Sequence, residues 1–116
     1  MKDLQERATV FAQDVRTLIM KLPRSLIVFE DAKQLIRSSG SVAANYIEAN
    51  DCLGEKDRLF RFRIARKEAK ESAYWLQLIL GYIDIKHHNE CARLRNEAVE
   101  IKLILSSIIK TIESRL

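Results

Sequence analysis

The chain has 116 residues, 47% of them apolar and 31% charged, with a formal net charge of +4. That size and balance suit one folded domain, residues 1–116, with a hydrophobic core of its own, and exclude a disordered chain. One Pro and three Gly are too few punctuators for the many turns of an all-β fold, so long helices are expected.

Apolar residues recur at alternating spacings of three and four along four segments, which keeps them on one face of a helix. The first run is Leu4, Ala8, Phe11, Val15, Leu18 and Leu22. Pro23-Arg24-Ser25 ends it, because Pro cannot continue a helix and Ser suits the N-cap of the next. Leu26 to Phe29, rich in β-branched and aromatic residues, has the option of staying extended for a turn. The second run is Val28, Ala32, Leu35, Ser39, Val42, Tyr46, Ala49 and Leu53. Ser38-Ser39-Gly40-Ser41 resembles a loop, yet the periodicity passes through it without a slip. Its helix-propensity cost of about 2–3 kcal/mol is small beside roughly 1.5–3 kcal/mol for each large apolar side chain buried along the run. The stretch is expected to be helical.

Gly54 is expected to close the second helix in the left-handed conformation, with Glu55 and Asp57 favouring the start of the third. The third run is Phe62, Ala65, Ala69, Ser72, Leu76, Ile79 and Ile83, and the fourth is Cys91, Leu94, Ala98, Ile101, Leu105, Ile108 and Ile112. Asn89 is the expected cap between them. Short connections make consecutive helices antiparallel neighbours. The expected fold is therefore an all-α, up-down-up-down four-helix bundle with long helices, the last three of roughly 26–30 residues, or about 40 Å.

Several features lie off these core faces. Ile64, Glu71, Trp75, Leu78 and Tyr82 form a second line on helix three, rotated about 120° from the first at 100° per residue. Aromatic residues of this kind are enriched at interfaces, and the line is expected to be a subunit contact unless a wide helix buries it within the monomer. Ser38, Ser41, Asn45 and Glu48 form a small and polar line on helix two. It suits close approach of another helix, or simply a solvated stripe. Lys56, Arg63, Lys67 and Lys70 form a basic line on helix three with Tyr74 alongside and Arg58, Arg61 and Arg66 flanking. Cations beside an aromatic ring can hold phosphates and stack a base, although a solvated helix face accounts for the charge as well.

Catalytic patterns are lacking. There is no Glu-x-x-His pair of the kind that holds metals in bundles, no Gly-rich phosphate loop, no G-x-S-x-G elbow and no Cys/His dyad. No cofactor is expected, and Cys52 and Cys91 are read as plain thiols at opposite ends of the bundle. Lys2, Asp3, Glu6 and Arg7 interrupt any apolar run at the start. No apolar segment reaches the roughly 18 residues of a membrane span. The expected location is the cytoplasm.

The run Arg37-Ser38-Ser39-x-Ser41-Val42-x-Ala44-Asn45-x-x-Glu48, followed by Phe60 to Ser72 with Glu71, resembles the bacterial four-helix-bundle proteins of the 23S rRNA intervening-sequence family. The resemblance covers nearly the whole chain. It implies an antiparallel bundle that assembles as a ring, typically a pentamer, without catalytic activity, and by analogy with related bundles that assist reverse transcriptases it implies contact with nucleic acid. Ser41, Asn45, Glu48 and Glu71 match the family motif. Ala49-Asn50 stands where the family usually has Glu-Gly, and Arg66-Lys67-Glu68 where a Gly-Ser pair is common. The expectation is an oligomeric helical bundle that contacts RNA or DNA through the basic face of helix three, or alternatively a protein assembly or adaptor module.

Overall fold

A computed structural model describes residues 3–116, so Met1 and Lys2 lie outside it. Four helices follow one another: α1, Leu4–Lys21; α2, Leu26–Asp51; α3, Glu55–Leu80; and α4, His88–Glu113. The described residues contain no strand, and a single turn of 3-10 helix, Ile85–His87, precedes α4. The molecule measures 47 × 25 × 19 Å.

Helix ends follow local chemistry. The Asp3 carboxylate accepts the Glu6 amide at 2.8 Å to open α1, and the Ser25 hydroxyl accepts the Val28 amide at 3.5 Å to open α2, each meeting one of the amides that an N-terminus leaves orphaned. Leu26 to Phe29 are helical, because this cap fixes the first turn. Two expected caps differ. Gly54 is extended, with φ −107°, and stands at the N-cap of α3; Cys52 already takes the chain out of α2 in an extended conformation, so no left-handed residue is needed. Asn89 lies inside α4, since Asp84 caps the 3-10 turn through the Lys86 amide and that turn feeds directly into the helix.

Pairs of residues in contact run in opposite directions along neighbouring helices. Between α2 and α3, Arg37 reaches Glu68 and Glu71, while Arg61 reaches Asn45. Between α3 and α4, Arg63 meets Glu113 and the Cys91 thiol donates to the Leu76 carbonyl at 3.4 Å. Between α4 and α1, Arg7 meets Glu97 and Arg93 meets Asp14. The helices are antiparallel in the order expected, with α1 against α2 and α4, and α3 against α2 and α4.

The core is the four seams, with adjustments. Ala8, Phe11, Val15 and Leu18 from α1 meet Leu35, Val42 and Ala49 from α2, Phe62, Ala65, Ala69, Leu76 and Ile79 from α3, and Cys91 through Ile112 from α4. In α4, Ile109 is buried where Ile108 was expected, and Ile108 is only partly buried. A straight helix drifts about 20° per heptad from a strict seven-residue repeat, so about five turns along the seam the core-facing position has moved to the next residue. Leu53 is fully exposed, because it follows the extended Cys52.

The serine-glycine stretch is helical throughout. Its small side chains let α2 approach both neighbours: the Ser38 and Ser72 hydroxyls meet across α2 and α3, and the Arg16 guanidinium of α1 reaches Ser39 Oγ at 3.4 Å and the Ile36 carbonyl at 3.3 Å. A Cβ at position 40 would come within 3.2 Å of that guanidinium.

Candidate functional site

α3 presents a charged outer face because its core residues all point the other way. Lys56, Arg63, Lys67 and Lys70 share that face, as their spacing predicts, and Lys56, Arg63, Lys67, Lys70 and Tyr74 are exposed. Arg66 turns toward α4. There Arg63, Arg66, Lys67 and Lys70 line a shallow groove of about 460 Å³ with Lys102 and Ser106 of α4. Lys102 and Ser106 are the members that the sequence reading missed: they lie on the next helix, more than 30 residues along the chain from Lys70, and only the antiparallel register of α3 and α4 brings them alongside.

The charge in this groove is largely uncompensated. Arg63 pairs with Glu113 at 2.7 Å, with both side chains about half exposed. Such a surface pair contributes little, on the order of 0–1 kcal/mol, and opens readily to a competing anion. Among the described residues, Arg66, Lys67, Lys70 and Lys102 form no ion pair. The flanking acids are occupied elsewhere: Glu68 and Glu71 are both held by Arg37, at 3.1 and 3.0 Å. Two other expected cations are likewise drawn away, Arg58 to Glu55 at 2.6 Å and over the Phe62 ring, and Arg61 to the Asn45 side chain at 3.3 Å.

Two aromatic rings border the cations. Tyr74 is 57% exposed and its ring meets that of Trp75 edge-on at 5.3 Å. Phe60, 60% exposed, stands between Lys56 and Arg63 on the same face. Phe60 was open to detection from sequence, since Lys56, Phe60, Arg63, Lys67, Lys70 and Tyr74 are spaced 4-3-4-3-4.

The residues expected at a subunit contact divide. Ser38 is fully buried within the chain, its hydroxyl 2.9 Å from that of Ser72; it is a core residue and has no surface left for a second copy. Asn45 is half-buried and donates to the Ser41 carbonyl and hydroxyl, both at 2.9 Å, while Glu48 is exposed. Trp75 packs against the core and its buried Nε1 has no hydrogen-bond partner among the described residues. Ile64, Glu71 and Leu78 are half-buried; Tyr82, expected on the same helix, lies in the turn after α3 ends at Leu80 and is 64% exposed. Much of the second line on α3 is thus covered by the monomer itself.

A second surface feature lies at one end of the bundle. Because the helices alternate in direction, the end of α1, the start of α2 and the end of α3 meet there, and Met20, Leu26, Ile27, Phe29, Tyr82 and Ile85 are all exposed. An apolar groove of about 570 Å³ between α1 and α2 includes Ile19, Leu22, Leu26 and Phe29. Among the described residues, no group of three or more His, Cys, Asp or Glu side chains is placed to hold a metal ion, and no helix is long and apolar enough to cross a membrane.

Comparison with known proteins places this architecture. A family model described as 23S rRNA-intervening sequence protein matches residues 2–107. A crystal structure of a protein with unknown function from the S23 ribosomal protein family, from Bacteroides thetaiotaomicron VPI-5482, superposes with a TM-score of 0.79 at 29% sequence identity, covering 93% of this chain and 99% of that one. No curated protein matches the chain.

Proposed function

The chain belongs to the 23S rRNA-intervening sequence protein family, and from that premise we propose that it is a non-enzymatic, self-assembling cytoplasmic protein whose basic α3–α4 face holds the phosphate backbone of RNA or DNA. The observation that carries this reading is the groove lined by Arg63, Arg66, Lys67, Lys70 and Lys102. Five cations from two helices converge there, and the nearby carboxylates of Glu68 and Glu71 are bound to Arg37. A polyanion that displaces Glu113 from Arg63 gains all five.

Phosphate contacts release condensed counterions, so affinity should fall with a log–log salt slope of about −0.7 to −0.9 per contact. Five contacts predict a loss of roughly 100-fold or more between 50 and 200 mM salt. Filter binding of a labelled RNA across that range measures the slope. Lys67→Glu combined with Lys70→Glu reverses two exposed charges and should abolish binding while leaving helical content intact; unchanged binding by this variant would remove the reading.

The second reading, an assembly or adaptor module, draws on the exposed Met20, Leu26, Phe29, Tyr82 and Ile85 at one end of the bundle. Apolar side chains gathered at one place mark interaction surfaces more often than scattered ones do. A ring of copies, five by the family resemblance, would use surface of this kind. The mass of the protein in solution tests it, and a monomer at high protein concentration would rule out self-assembly.

A further inference from the structure

Resting on the reading of the α3–α4 face as a phosphate-binding surface, we propose that the nucleic acid it takes is single-stranded, with unpaired bases stacked on Phe60 and Tyr74, the two rings that bracket Arg63, Lys67 and Lys70. The cations do not decide between a duplex and a single strand, because both offer phosphates. The rings do. A base inside a duplex has both faces covered by its neighbours, whereas an unpaired base offers a π-face to any exposed aromatic side chain.

Phe60 and Tyr74 have the placement this requires. They lie on one face of α3, fourteen residues apart, which is about 21 Å along the axis at roughly 1.5 Å per residue. Arg63, Lys67 and Lys70 fall between them on that face, and Lys102 flanks the middle of the track from α4. Both rings are more than half exposed on the side of α3 opposite the core, so the folding of the monomer does not account for them. Phe60 has no polar atom in its side chain, and its only favourable use against a solute is apolar contact or stacking. Tyr74 is steadied by its edge-on contact with Trp75 at 5.3 Å, which leaves less rotamer freedom to lose when a base arrives. A strand lying along α3 would meet ring, cations and ring in turn, the combination by which single strands are held without regard to sequence. A duplex on the same track would leave two aromatic rings against its polar backbone.

The test compares a labelled 12-nucleotide RNA of non-self-pairing sequence with the duplex made by annealing its complement, each titrated with the full chain at one salt concentration. The single strand should bind more tightly. Phe60→Leu with Tyr74→Leu keeps apolar bulk and helix propensity but removes both π-faces; it should weaken single-strand binding by about tenfold or more and leave duplex binding and the salt slope unchanged. Duplex binding as tight as single-strand binding, or a double leucine variant that holds the single strand as well as the parent, overturns the proposal. If either occurs while Lys67→Glu with Lys70→Glu still abolishes binding, the phosphate-binding reading survives alone. If neither this RNA nor the DNA of the same sequence binds, as single strand or duplex, both fall.

Discussion

The hydroxyl oxygens of Ser38 in α2 and Ser72 in α3 lie 2.9 Å apart in the fully buried interior. Two protons serve three contacts: with Ser72 donating to the Glu68 carbonyl at 2.9 Å, Ser38 donates to Ser72 Oγ, and with Ser38 donating to the Leu35 carbonyl at 3.4 Å, Ser72 donates to Ser38 Oγ; in both arrangements neither hydroxyl is left unsatisfied. Their small size sets how closely α2 and α3 approach, and it explains why a serine-rich stretch is found inside a helix. Of the line expected to suit a second copy of the chain, Ser38 is used within it, while Glu48 stays exposed.

Ser38→Ala or Ser72→Ala alone should each cost about 1 kcal/mol, since the remaining hydroxyl keeps its backbone acceptor and loses only its partner. The double change should cost less than the sum of the two, because the pair is lost only once. Ser72→Leu should cost more, about 1–3 kcal/mol, by overpacking. Urea unfolding of the four variants measures the cycle, and additive single effects would show that the pair is not coupled.

Gly40→Ala should raise stability by up to about 1 kcal/mol, the propensity gained by replacing glycine in a helix interior. The new Cβ would meet the Arg16 guanidinium at 3.2 Å, but that contact is with the far end of a flexible, exposed side chain. Its hydrogen bonds of 3.3 and 3.4 Å are long and can be given up. A loss of stability in thermal unfolding would mean that Arg16 is held more rigidly against α2 than its exposure implies.

Arg37→Ala should destabilise by about 1–2 kcal/mol, several times more than Arg63→Ala. Arg37 holds two carboxylates, and the Glu68 side chain is only 8% exposed, so its charge would be left poorly solvated. Arg37 itself is about half exposed, which keeps the loss below that of a wholly buried pair. Arg63 and Glu113 are both open to water. Equal effects of the two substitutions in urea unfolding would show that burial of Glu68 carries no weight.

The Cys91 thiol should stay unmodified by a thiol reagent in the native protein, while the half-buried Cys52 reacts slowly. Burial pushes Cys91 from the ordinary value of 9.0 up to about 11, because the thiolate would lose its hydration in the core. The folded state thus holds this proton more tightly than the unfolded chain. Stability from this group is fully present below pH 9 and is lost as pH rises from about 9 to 11, where only the unfolded chain ionises. Cys91→Ala should flatten that alkaline limb in a plot of unfolding free energy against pH; an unchanged limb would assign it to other groups.

The helices and most of the core were open to reading because a helix writes its buried face into a local period. Phe11, Leu35, Phe62 and Leu105 needed no knowledge of one another to be placed inside. Departures came where that period was stretched too far or where a cap was guessed from residue type. Ile109 took the place of Ile108 through helical drift, and Gly54 proved to be an N-cap. Of the basic face, Lys56, Arg63, Lys67 and Lys70 were readable as a line on one helix, and Phe60 could have been read with them. Lys102 and Ser106 could not, and neither could the withdrawal of Arg61, Glu68 and Glu71 into contacts with α2; the Arg58–Glu55 pair, three residues apart on α3, could.

Spacing along the chain alone determined that this protein is four antiparallel helices, since side-chain direction repeats every few residues whatever the neighbours are. Which charges remain free was decided only when the helices packed. The register of α3 against α4 sets Lys102 beside Lys67 and Lys70, and the register of α2 against α3 hands Glu68 and Glu71 to Arg37. A net positive groove is a property of distances between helices, and no single helix contains those distances.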